Sequence, residues 1–330
     1  MKAAVCLAYG DSATSIHLED RNLKEPGWNE VRVRMLLSPV NPSDLLFLQG
    51  KYGNQPELPV VPGFEGVGIV EAGRGPLAWR VLGKRVSVIG PGDGRWQQKI
   101  ILPARQAVPV PHSLSETQAA SFFVNPATAF VMTQKVLRIP PGQWLLQSGS
   151  TGALGKMVMR LGKKLGFRTI NIVRRDSQGE LVKQEGGTES VSLESENMVD
   201  KVKAITGGQG VLYAMDAIGG QVGSGMISCL GRHGTMLVYG RMSGEPLVFE
   251  PGAIMKGEKT IRGFWLSEWV KDQGIFTMLC LFRKLGKLIG DGTLDTPAGP
   301  IFELDQVQQA LQAARESSNH QKIYLRLNPA

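Results

Sequence analysis

One segment, residues 144–176, constrains the fold of this chain more than any other. Trp144–Gln147 is a short apolar run, typical of a strand that is buried on both faces. Three glycines follow at every third position, namely Gly149, Gly152 and Gly155. A strand that runs into such a loop and then into a helix is typical of doubly wound α/β sheets.

The helix predicted after this loop is amphipathic. Its apolar face consists of Leu154, Met157, Val158, Leu161 and Leu165. Gly166 supplies a C-terminal stop, and Arg168–Val173 has the composition of the next strand. The segment therefore predicts one complete strand–helix–strand crossover.

The same loop predicts a dinucleotide site. Closely turned glycines let a helix N-terminus offer its free N–H groups to a pyrophosphate. We expect the cofactor to contact the loop residues Ser150, Thr151, Gly152, Ala153 and Leu154. Because GxxGxxG is less specific than GxGxxG, a crossover that binds no nucleotide is the alternative.

Two arginines at the end of the second strand indicate which dinucleotide binds. NAD-specific sites usually carry an acid about 20 residues after the loop, bonded to the ribose 2′-hydroxyl. Arg174 occupies that position here, and Arg175 follows it. A guanidinium matches a 2′-phosphate in charge and in fork geometry. We therefore predict NADPH as the cofactor.

Length and composition set the broader class. With 330 residues, 42% of them hydrophobic, two domains are expected. No apolar run approaches the roughly 18 residues that a membrane span needs. Cys6, Cys229 and Cys280 are few, widely spaced and odd in number, which suits a reducing compartment. The opening MKAAVCLAYG resembles a strand rather than a signal peptide, so we predict a cytoplasmic protein.

The net charge of +8 does not by itself identify a partner. Lysines and arginines are scattered along the chain rather than gathered in a basic tract. A phosphorylated cofactor and an anionic substrate explain a positive field as well as nucleic acid does. Charge therefore does not discriminate between these partners, and it is the intact glycine loop with Arg174 and Tyr52 that makes a nucleic-acid partner the less expected one.

The chain divides into two kinds of pattern. Residues 1–123 are rich in glycine, proline and short β-like runs, and they predict a partly open β-barrel. The runs are Lys2–Leu7, Glu30–Leu36, Gly66–Val70, Lys84–Ile89 and Gln106–Val110. From about Asn125 strands and helices alternate. The further strands predicted there are Ser190–Leu193, Val211–Asp216, Thr235–Gly240 and Thr260–Phe264.

Past Leu294 the sequence predicts one helix and one strand that return to the barrel. The predicted domains are therefore residues 1–123 with 293–330, and residues 124–292. Ligands of open α/β sheets bind beyond the carboxyl ends of strands. The loops at Asp216 and at Tyr239-Gly240 should consequently line the nicotinamide part of the site, although these glycines could also serve only as turns.

This organisation resembles the medium-chain dehydrogenase/reductase superfamily over essentially the full length. The resemblance implies a GroES-like β-barrel catalytic domain and a Rossmann domain with a doubly wound parallel sheet. Zinc-dependent members carry Gly-His-Glu and a four-cysteine lobe, whereas this chain has Gly63-Phe64-Glu65 and three cysteines. The four histidines, His17, His112, His233 and His320, lack ligand spacing. No metal is predicted.

Within that superfamily the chain is most similar to the 2-enoyl thioester reductases, including the mitochondrial trans-2-enoyl-CoA reductases. The matching segments are Val40–Asp44, Gln49–Gly53, Val124–Ala129, Thr169–Arg174 and Arg262–Trp269. Zinc-free quinone reductases share the Asn-Pro-Ser-Asp and glycine-loop features but do not usually share the tryptophan-flanked segment. The group usually has Asn where Phe64 stands, and the loop at Arg95-Trp96 is short.

The resemblance implies a reaction and its residues. Hydride reaches the β-carbon of the enoyl group, and a proton reaches the α-carbon. Tyr52 matches the catalytic tyrosine of the group, and a phenol with pKa of about 10 stays protonated at neutral pH. Asn41 matches an asparagine that orients the tyrosine and the substrate. Without the resemblance, Tyr52 is a packing residue and Asn41 forms an Asx-type turn.

Further contacts are expected around the cofactor and the acyl chain. Thr128 is expected to bond the nicotinamide carboxamide, or to serve only in the first turn of its helix. Phe264 and Trp265 are assigned to the cofactor, and Trp269 and Trp96 to the substrate. Large rings bury much area at low entropic cost, so core packing or a dimer contact is the competing role for these tryptophans.

Three functions remain open from sequence. The first is NADPH-dependent reduction of 2-enoyl thioesters carried on CoA or acyl carrier protein. The second is a zinc-free NADPH:quinone or enone oxidoreductase. The third is RNA binding, known among zinc-free relatives, for which binding should weaken steeply with salt. The resemblance also implies a homodimer formed through the Rossmann domain.

Overall fold

The computed structural model describes residues 1–10, 15–53, 55–90, 93–316 and 321–328. The chain forms two compact units, Met1–Asn125 with Arg283–Ala330, and Pro126–Phe282. The first boundary lies two residues after the predicted one. The second lies ten residues before the predicted one, inside the helix Ile275–Gly290.

The unit Pro126–Phe282 contains a six-stranded sheet in which all neighbouring strands are parallel. In spatial order its strands are Glu189–Ser192, Arg168–Val173, Trp144–Gln147, Val211–Asp216, Leu230–Val238 and Thr260–Gly263. In chain order within the unit this is 3-2-1-4-5-6, the strand order of doubly wound dinucleotide-binding sheets. The order reverses between Trp144–Gln147 and Val211–Asp216, which places a ligand crevice beyond their carboxyl ends.

Helices precede, connect and follow these strands. Their bounds are Val124–Val131, Ala153–Leu165, Gly179–Gln184, Met198–Ile205, Gly220–Ser228, Gly252–Met255, Leu266–Lys271 and Ile275–Gly290. The helix Ala153–Leu165 buries Met157, Val158 and Leu161 completely, and it ends at Gly166 in the left-handed conformation. Its amphipathic pattern is therefore confirmed, with Leu154 and Leu165 half-buried at the margins.

The other unit is built on a seven-stranded sheet that is mostly antiparallel. Its strands are Glu30–Pro39, Gly66–Arg74, Arg85–Val88, Lys99–Pro103, Ala107–Pro109, Ala298–Glu303 and Lys322–Arg326. Lys2–Cys6 and Ile16–Asp20 form a separate two-stranded sheet. The helices are Pro42–Leu48, Pro76–Trp79, Glu116–Ala120 and Val307–Glu316. The strand Lys322–Arg326 pairs with Glu30–Pro39, so the return to this unit that the sequence predicts is confirmed.

Several strands differ from their predicted bounds. Gly66–Arg74 and Leu230–Val238 are longer than predicted because their half-exposed ends still pair with neighbouring strands. Ile16–Asp20, Lys99–Pro103 and Ala298–Glu303 were missed by the sequence patterns. Ile16–Asp20 and Ala298–Glu303 carry polar or turn-forming residues on exposed positions, which weakens the apolar alternation expected of a strand. Lys99–Pro103 has no exposed position and alternates between half-buried and buried residues.

Candidate functional site

The glycine loop of the parallel-sheet unit has the geometry that a phosphate cradle requires. Gly149 has a φ of 62°, a conformation that favours glycine. A Cβ on Gly155 would lie 2.4 Å from the carbonyl oxygen of Ser150, so the helix could not pack this closely on its own loop. Because Ala153–Leu165 begins directly after Gly152, its first N–H groups have no acceptor within the helix. A backbone site for an anion results.

The two strands at the reversal of the sheet are joined by side-chain bonds. The Ser148 hydroxyl donates to Asp216 Oδ1 at 2.6 Å. The same buried carboxylate accepts the N–H groups of Ile218 and Gly219, both at 3.0 Å. These bonds fix the glycine loop against the loop that follows Val211–Asp216. Ser150 donates its own hydroxyl to the carbonyl of Gln147 at 2.9 Å, so its side chain serves the turn.

Arg174 and Arg175 follow the strand Arg168–Val173, and both are exposed. Their backbone N–H groups donate to the side-chain oxygen of Gln178 at 2.9 and 3.2 Å. The Gln178 amide also donates to the Thr151 hydroxyl at 3.4 Å. Gln178 thus joins the arginine tip to the glycine loop, which are the two parts expected to contact NADPH.

Other predicted cofactor residues lie at the same edge of this sheet. The Tyr239 N–H donates to the carbonyl of Asp216 at 2.9 Å, and the Phe264 N–H to that of Val238 at 2.9 Å. A Cβ on Gly240 would lie 2.5 Å from the Ala217 carbonyl oxygen, so the loops are tightly packed. Burial raises the pKa of the Tyr239 phenol, so this hydroxyl stays protonated.

The remaining predicted residues of this unit differ in exposure. Thr128 is nearly buried in the helix Val124–Val131. Trp265 is 40% exposed, and Trp269 is half-buried on the helix Leu266–Lys271. Both rings are therefore partly accessible to solvent, unlike rings that serve only in the core. Their contacts with cofactor and substrate stay predictions.

In the antiparallel unit, Tyr52 lies at the end of a row of four aromatic rings. Its ring centroid is 5.0 Å from that of Phe64, at an interplanar angle of 50°. Phe64 contacts Phe47 edge-on at 5.8 Å, and Phe47 contacts Tyr9 edge-on at 5.9 Å. Tyr52 itself is half-buried. The row, defined as Tyr9, Phe47, Phe64 and Tyr52, connects Tyr52 to the core of its unit.

Beside this row lies a buried charge cluster of Asn41, Asp44, Glu65 and Lys322. The Lys322 ammonium donates to Asn41 Oδ1, and Asn41 Nδ2 donates to Glu65 Oε1 at 3.2 Å. Asp44 accepts the N–H groups of Asn41 at 2.7 Å and Phe64 at 3.2 Å. The second Glu65 oxygen accepts the N–H groups of Phe123 and Val124. All four cluster side chains are at most 6% exposed.

Burial controls the titration of this cluster. It raises the pKa of the Asp44 carboxyl to about 7, although the N–H bond from Asn41 opposes the rise. It lowers the pKa of the Lys322 ammonium, which Glu65 and Asp44 counteract. The Asn41 carboxamide is thereby oriented by charges, since its bonds run to Lys322 and Glu65. A direct role of Asn41 toward Tyr52 stays a prediction.

Trp96 does not lie where a substrate contact was expected. Its ring is 0% exposed in the core of its unit. It packs on Gly63, where a Cβ would be 2.5 Å from Trp96 Cδ1. Substrate binding by Trp96 therefore gains no support from its position.

Sequence reasoning missed Gln178, Glu65 and Lys322 as parts of these sites. A glutamine four residues beyond Arg174 carries no pattern of its own. Glu65 belongs to the segment Gly63-Phe64-Glu65, but an acid is usually exposed unless it is paired, so no pattern in the sequence predicts that it is buried. Nothing in the sequence places Lys322 beside residues 41–65.

The described residues include no group of three or more His, Cys, Asp or Glu side chains that could hold a metal ion. His320 lies outside those residues. In the same part of the chain, no helix has both the length and the apolar character needed to cross a membrane.

Two family models match the chain, and together they span both units. Residues 27–112 match the alcohol dehydrogenase GroES-like domain, and residues 153–279 match the zinc-binding dehydrogenase domain. The second match begins at Ala153, directly after Gly152 of the glycine loop, and it includes both arginines. The predicted GroES-like and Rossmann combination is therefore confirmed.

Similar proteins are reductases by name. The human mitochondrial enoyl-[acyl-carrier-protein] reductase is 32% identical over 327 residues, which cover 95% of this chain and 85% of the human protein. A Bacillus thuringiensis structure assigned as an NADPH:quinone reductase is 28% identical, with a TM-score of 0.91 over 98% of both chains. The Etr1p complex with NADP and crotonyl-CoA has the same fold, with a TM-score of 0.85, 22% identity and coverage of 98% and 99%. The chain belongs to the medium-chain dehydrogenase/reductase family, in its zinc-free group of quinone and enoyl reductases.

Proposed function

We propose that this protein reduces the C2=C3 double bond of 2-enoyl thioesters, carried on CoA or acyl carrier protein, with NADPH as reductant. The observation that carries the proposal is the 32% identity with an enoyl-[acyl-carrier-protein] reductase along 95% of the chain. The same relatives are named as mitochondrial, so a cytoplasmic location stays a prediction.

The residues of the parallel-sheet unit fit the phosphorylated cofactor. The N-terminal N–H groups of Ala153–Leu165 can hold the pyrophosphate, in a loop where Gly155 leaves no room for a Cβ. Exposed Arg174 and Arg175 can bind the 2′-phosphate. When bound, NADPH supplies the hydride.

Tyr52 is the proposed proton donor. A phenol near a developing enolate can donate its proton to the α-carbon, a step that general acids accelerate by about 10²- to 10⁴-fold. The aromatic row holds this ring in a half-buried position. The buried charge cluster orients the Asn41 carboxamide, which the family resemblance assigns to the substrate.

The test is NADPH oxidation with crotonyl-CoA, a decenoyl-CoA and a benzoquinone, on the wild type and on Tyr52→Phe. We expect turnover of at least one enoyl thioester, reduced about 100-fold or more in the variant. Tyr9→Phe is the control, because Tyr9 uses its hydroxyl to hold the Pro56 carbonyl at 2.6 Å. Turnover of the quinone alone, unchanged in Tyr52→Phe, would contradict the proposal.

The cofactor preference has its own test. Arg174→Ala should weaken NADPH binding about tenfold or more and leave NADH binding unchanged, because one charged bond to the 2′-phosphate is lost. Arg232→Ala, an exposed arginine of the same unit, serves as control. Equal losses for both cofactors would argue against a 2′-phosphate contact. Protein fluorescence titration measures both affinities.

The second candidate function is quinone or enone reduction. It is favoured by the likeness to the Bacillus thuringiensis protein, which extends over 98% of both chains. Quinones need little specific acid, so Tyr52→Phe should leave that activity intact. The substrate panel above separates the two candidates.

We also propose a homodimer. Thr260–Gly263 is an edge strand of the parallel sheet, and three of its four residues are exposed. Exposed apolar side chains lie nearby in sequence, including Met255 at 74% and Phe276 at 81%. Such a strand can pair with a second copy. Light scattering should give about twice the chain mass of 35.8 kDa, and a single-chain mass would refute the dimer.

A further inference from the structure

The backbone on both sides of the Phe64 ring is tied to the core of its unit. Its neighbour Gly63 has a φ of 99° and lies against Trp96. The Phe64 N–H donates to the buried carboxylate of Asp44 at 3.2 Å. On the other side, Glu65 accepts the N–H groups of Phe123 and Val124 at 3.1 and 2.9 Å. Three consecutive residues are thus tied to the core of the unit.

Tyr52, by contrast, lies in a segment without helix or strand. Lys51 and Gly53 on either side of it are exposed, and Gly53 has a φ of 59°. Within the segment, the Gln55 amide donates to the Tyr52 carbonyl at 2.8 Å. That bond fixes the backbone and leaves the orientation of the ring to side-chain contacts.

The Phe64 ring supplies such a contact. Its centroid lies 5.0 Å from that of Tyr52. Behind Phe64, Phe47 packs edge-on and is 8% exposed. The Phe64 ring, supported by Phe47, is thereby placed directly against the Tyr52 ring, which lies on an irregular segment.

We propose that Phe64 is a positioning residue, which holds the Tyr52 phenol in the orientation in which it donates its proton. This inference rests on the proposed role of Tyr52. A polar side chain at position 64 would lack the ring face, so the aromatic character of Phe64 is the property that matters. Phe64 acts through Tyr52 and not on the substrate.

The kinetic test compares Phe64→Leu, Phe64→Trp and Tyr52→Phe with the double variant Phe64→Leu/Tyr52→Phe. With crotonyl-CoA and saturating NADPH, Phe64→Leu should lower kcat about two- to tenfold, the loss expected for one aromatic pair. Phe64→Trp, which keeps an aromatic ring at this position, should retain most of the wild-type kcat. In the Tyr52→Phe background, Phe64→Leu should cause no further loss, because the group that it positions is absent.

Phe302→Leu is the matched control, since Phe302 is a half-buried phenylalanine of the same unit on the strand Ala298–Glu303. It should leave kcat unchanged. If Phe64→Leu lowers kcat by the same factor with and without the Tyr52 hydroxyl, Phe64 has a merely structural role and the proposal is wrong.

A second measurement does not depend on activity. The chain has five tyrosines, so 3-fluorotyrosine labelling gives few ¹⁹F signals, and Tyr52→Phe assigns one of them. Phe64→Leu should shift and broaden the Tyr52 signal alone, whereas Phe302→Leu should not. An unchanged Tyr52 signal overturns the proposal. If Tyr52→Phe keeps full enoyl turnover, the proposed role of Tyr52 as proton donor fails, while the ¹⁹F signal still decides whether Phe64 holds the ring.

Discussion

In the parallel-sheet unit, the glycine loop, the arginine tip and the glutamine that joins them all lie between Gln147 and Gln178. In the antiparallel unit, the aromatic row that ends at Tyr52 and the charge cluster beside it draw on Tyr9, Asn41, Phe64 and Lys322, which span most of the sequence. The first site depends on backbone conformation and the second on side chains buried together. Cofactor binding at the glycine loop should therefore be sensitive to side chains that crowd the backbone. The fold around the charge cluster should be sensitive to the loss of a charged side chain.

The largest effect should come from removing the cation of the charge cluster. Lys322→Met leaves Asp44 and Glu65 buried without it, and we expect a loss of about 3–5 kcal/mol in the free energy of unfolding. Lys99→Met is the control, since its bond to Glu71 at 2.9 Å is at the surface and is worth at most about 1 kcal/mol. Urea denaturation measures both. Similar losses would mean that the buried ammonium contributes no more to stability than a surface one.

The second largest effect should come from a side chain that crowds the backbone of the glycine loop. In Gly155→Ala the new Cβ meets backbone atoms at 2.4 to 2.7 Å, which forces the loop to move. Overpacking of this kind costs about 1–3 kcal/mol, so NADPH should bind about ten- to hundredfold more weakly. Gly274→Ala, where nothing lies within 4 Å, should bind normally. Unchanged affinity in Gly155→Ala would mean that the loop tolerates a side chain.

The charge cluster should also make stability depend on pH. Because the pKa of Asp44 is raised in the folded state to about 7, the fold favours the protonated carboxyl. The stability that this group contributes is full below its unfolded pKa of about 4 and is lost as pH rises to about 7, by at most about 1.4 kcal/mol per pH unit. The wild type should lose this stability relative to Asp44→Asn between pH 5 and 7. Parallel curves for the two proteins would exclude the effect.

The smallest effect concerns the support of the arginine tip. Gln178→Ala removes the acceptor of two N–H groups and should weaken NADPH binding about two- to tenfold. Gln184→Ala is a matched control, because the Gln184 amide contacts only Glu180 at the surface. An affinity equal to that of the control would show that the tip is fixed without Gln178.

The sequence predicts the parallel-sheet unit better than the antiparallel unit. Trp144–Gln147, Arg168–Val173 and Val211–Asp216 have the predicted bounds, because buried parallel strands are continuous apolar runs between turns. Ala298–Glu303 escaped notice because its exposed positions alternate weakly. The contact between Lys322 and Asn41 could not be predicted, since the two residues meet where the strand Lys322–Arg326 pairs with Glu30–Pro39. Long-range pairing leaves no local pattern in the residues that it brings together.

The placement of Lys322 has a consequence for the order in which the protein matures. Asp44 and Glu65 are synthesised before the whole of the unit Pro126–Phe282, and Lys322 only after it. While the parallel-sheet unit emerges and can fold from contiguous sequence, the two acids have no ammonium partner and favour contact with water. The buried charge cluster is therefore complete only after the strand Lys322–Arg326 has been made and has paired with Glu30–Pro39, which brings the ammonium to Asn41.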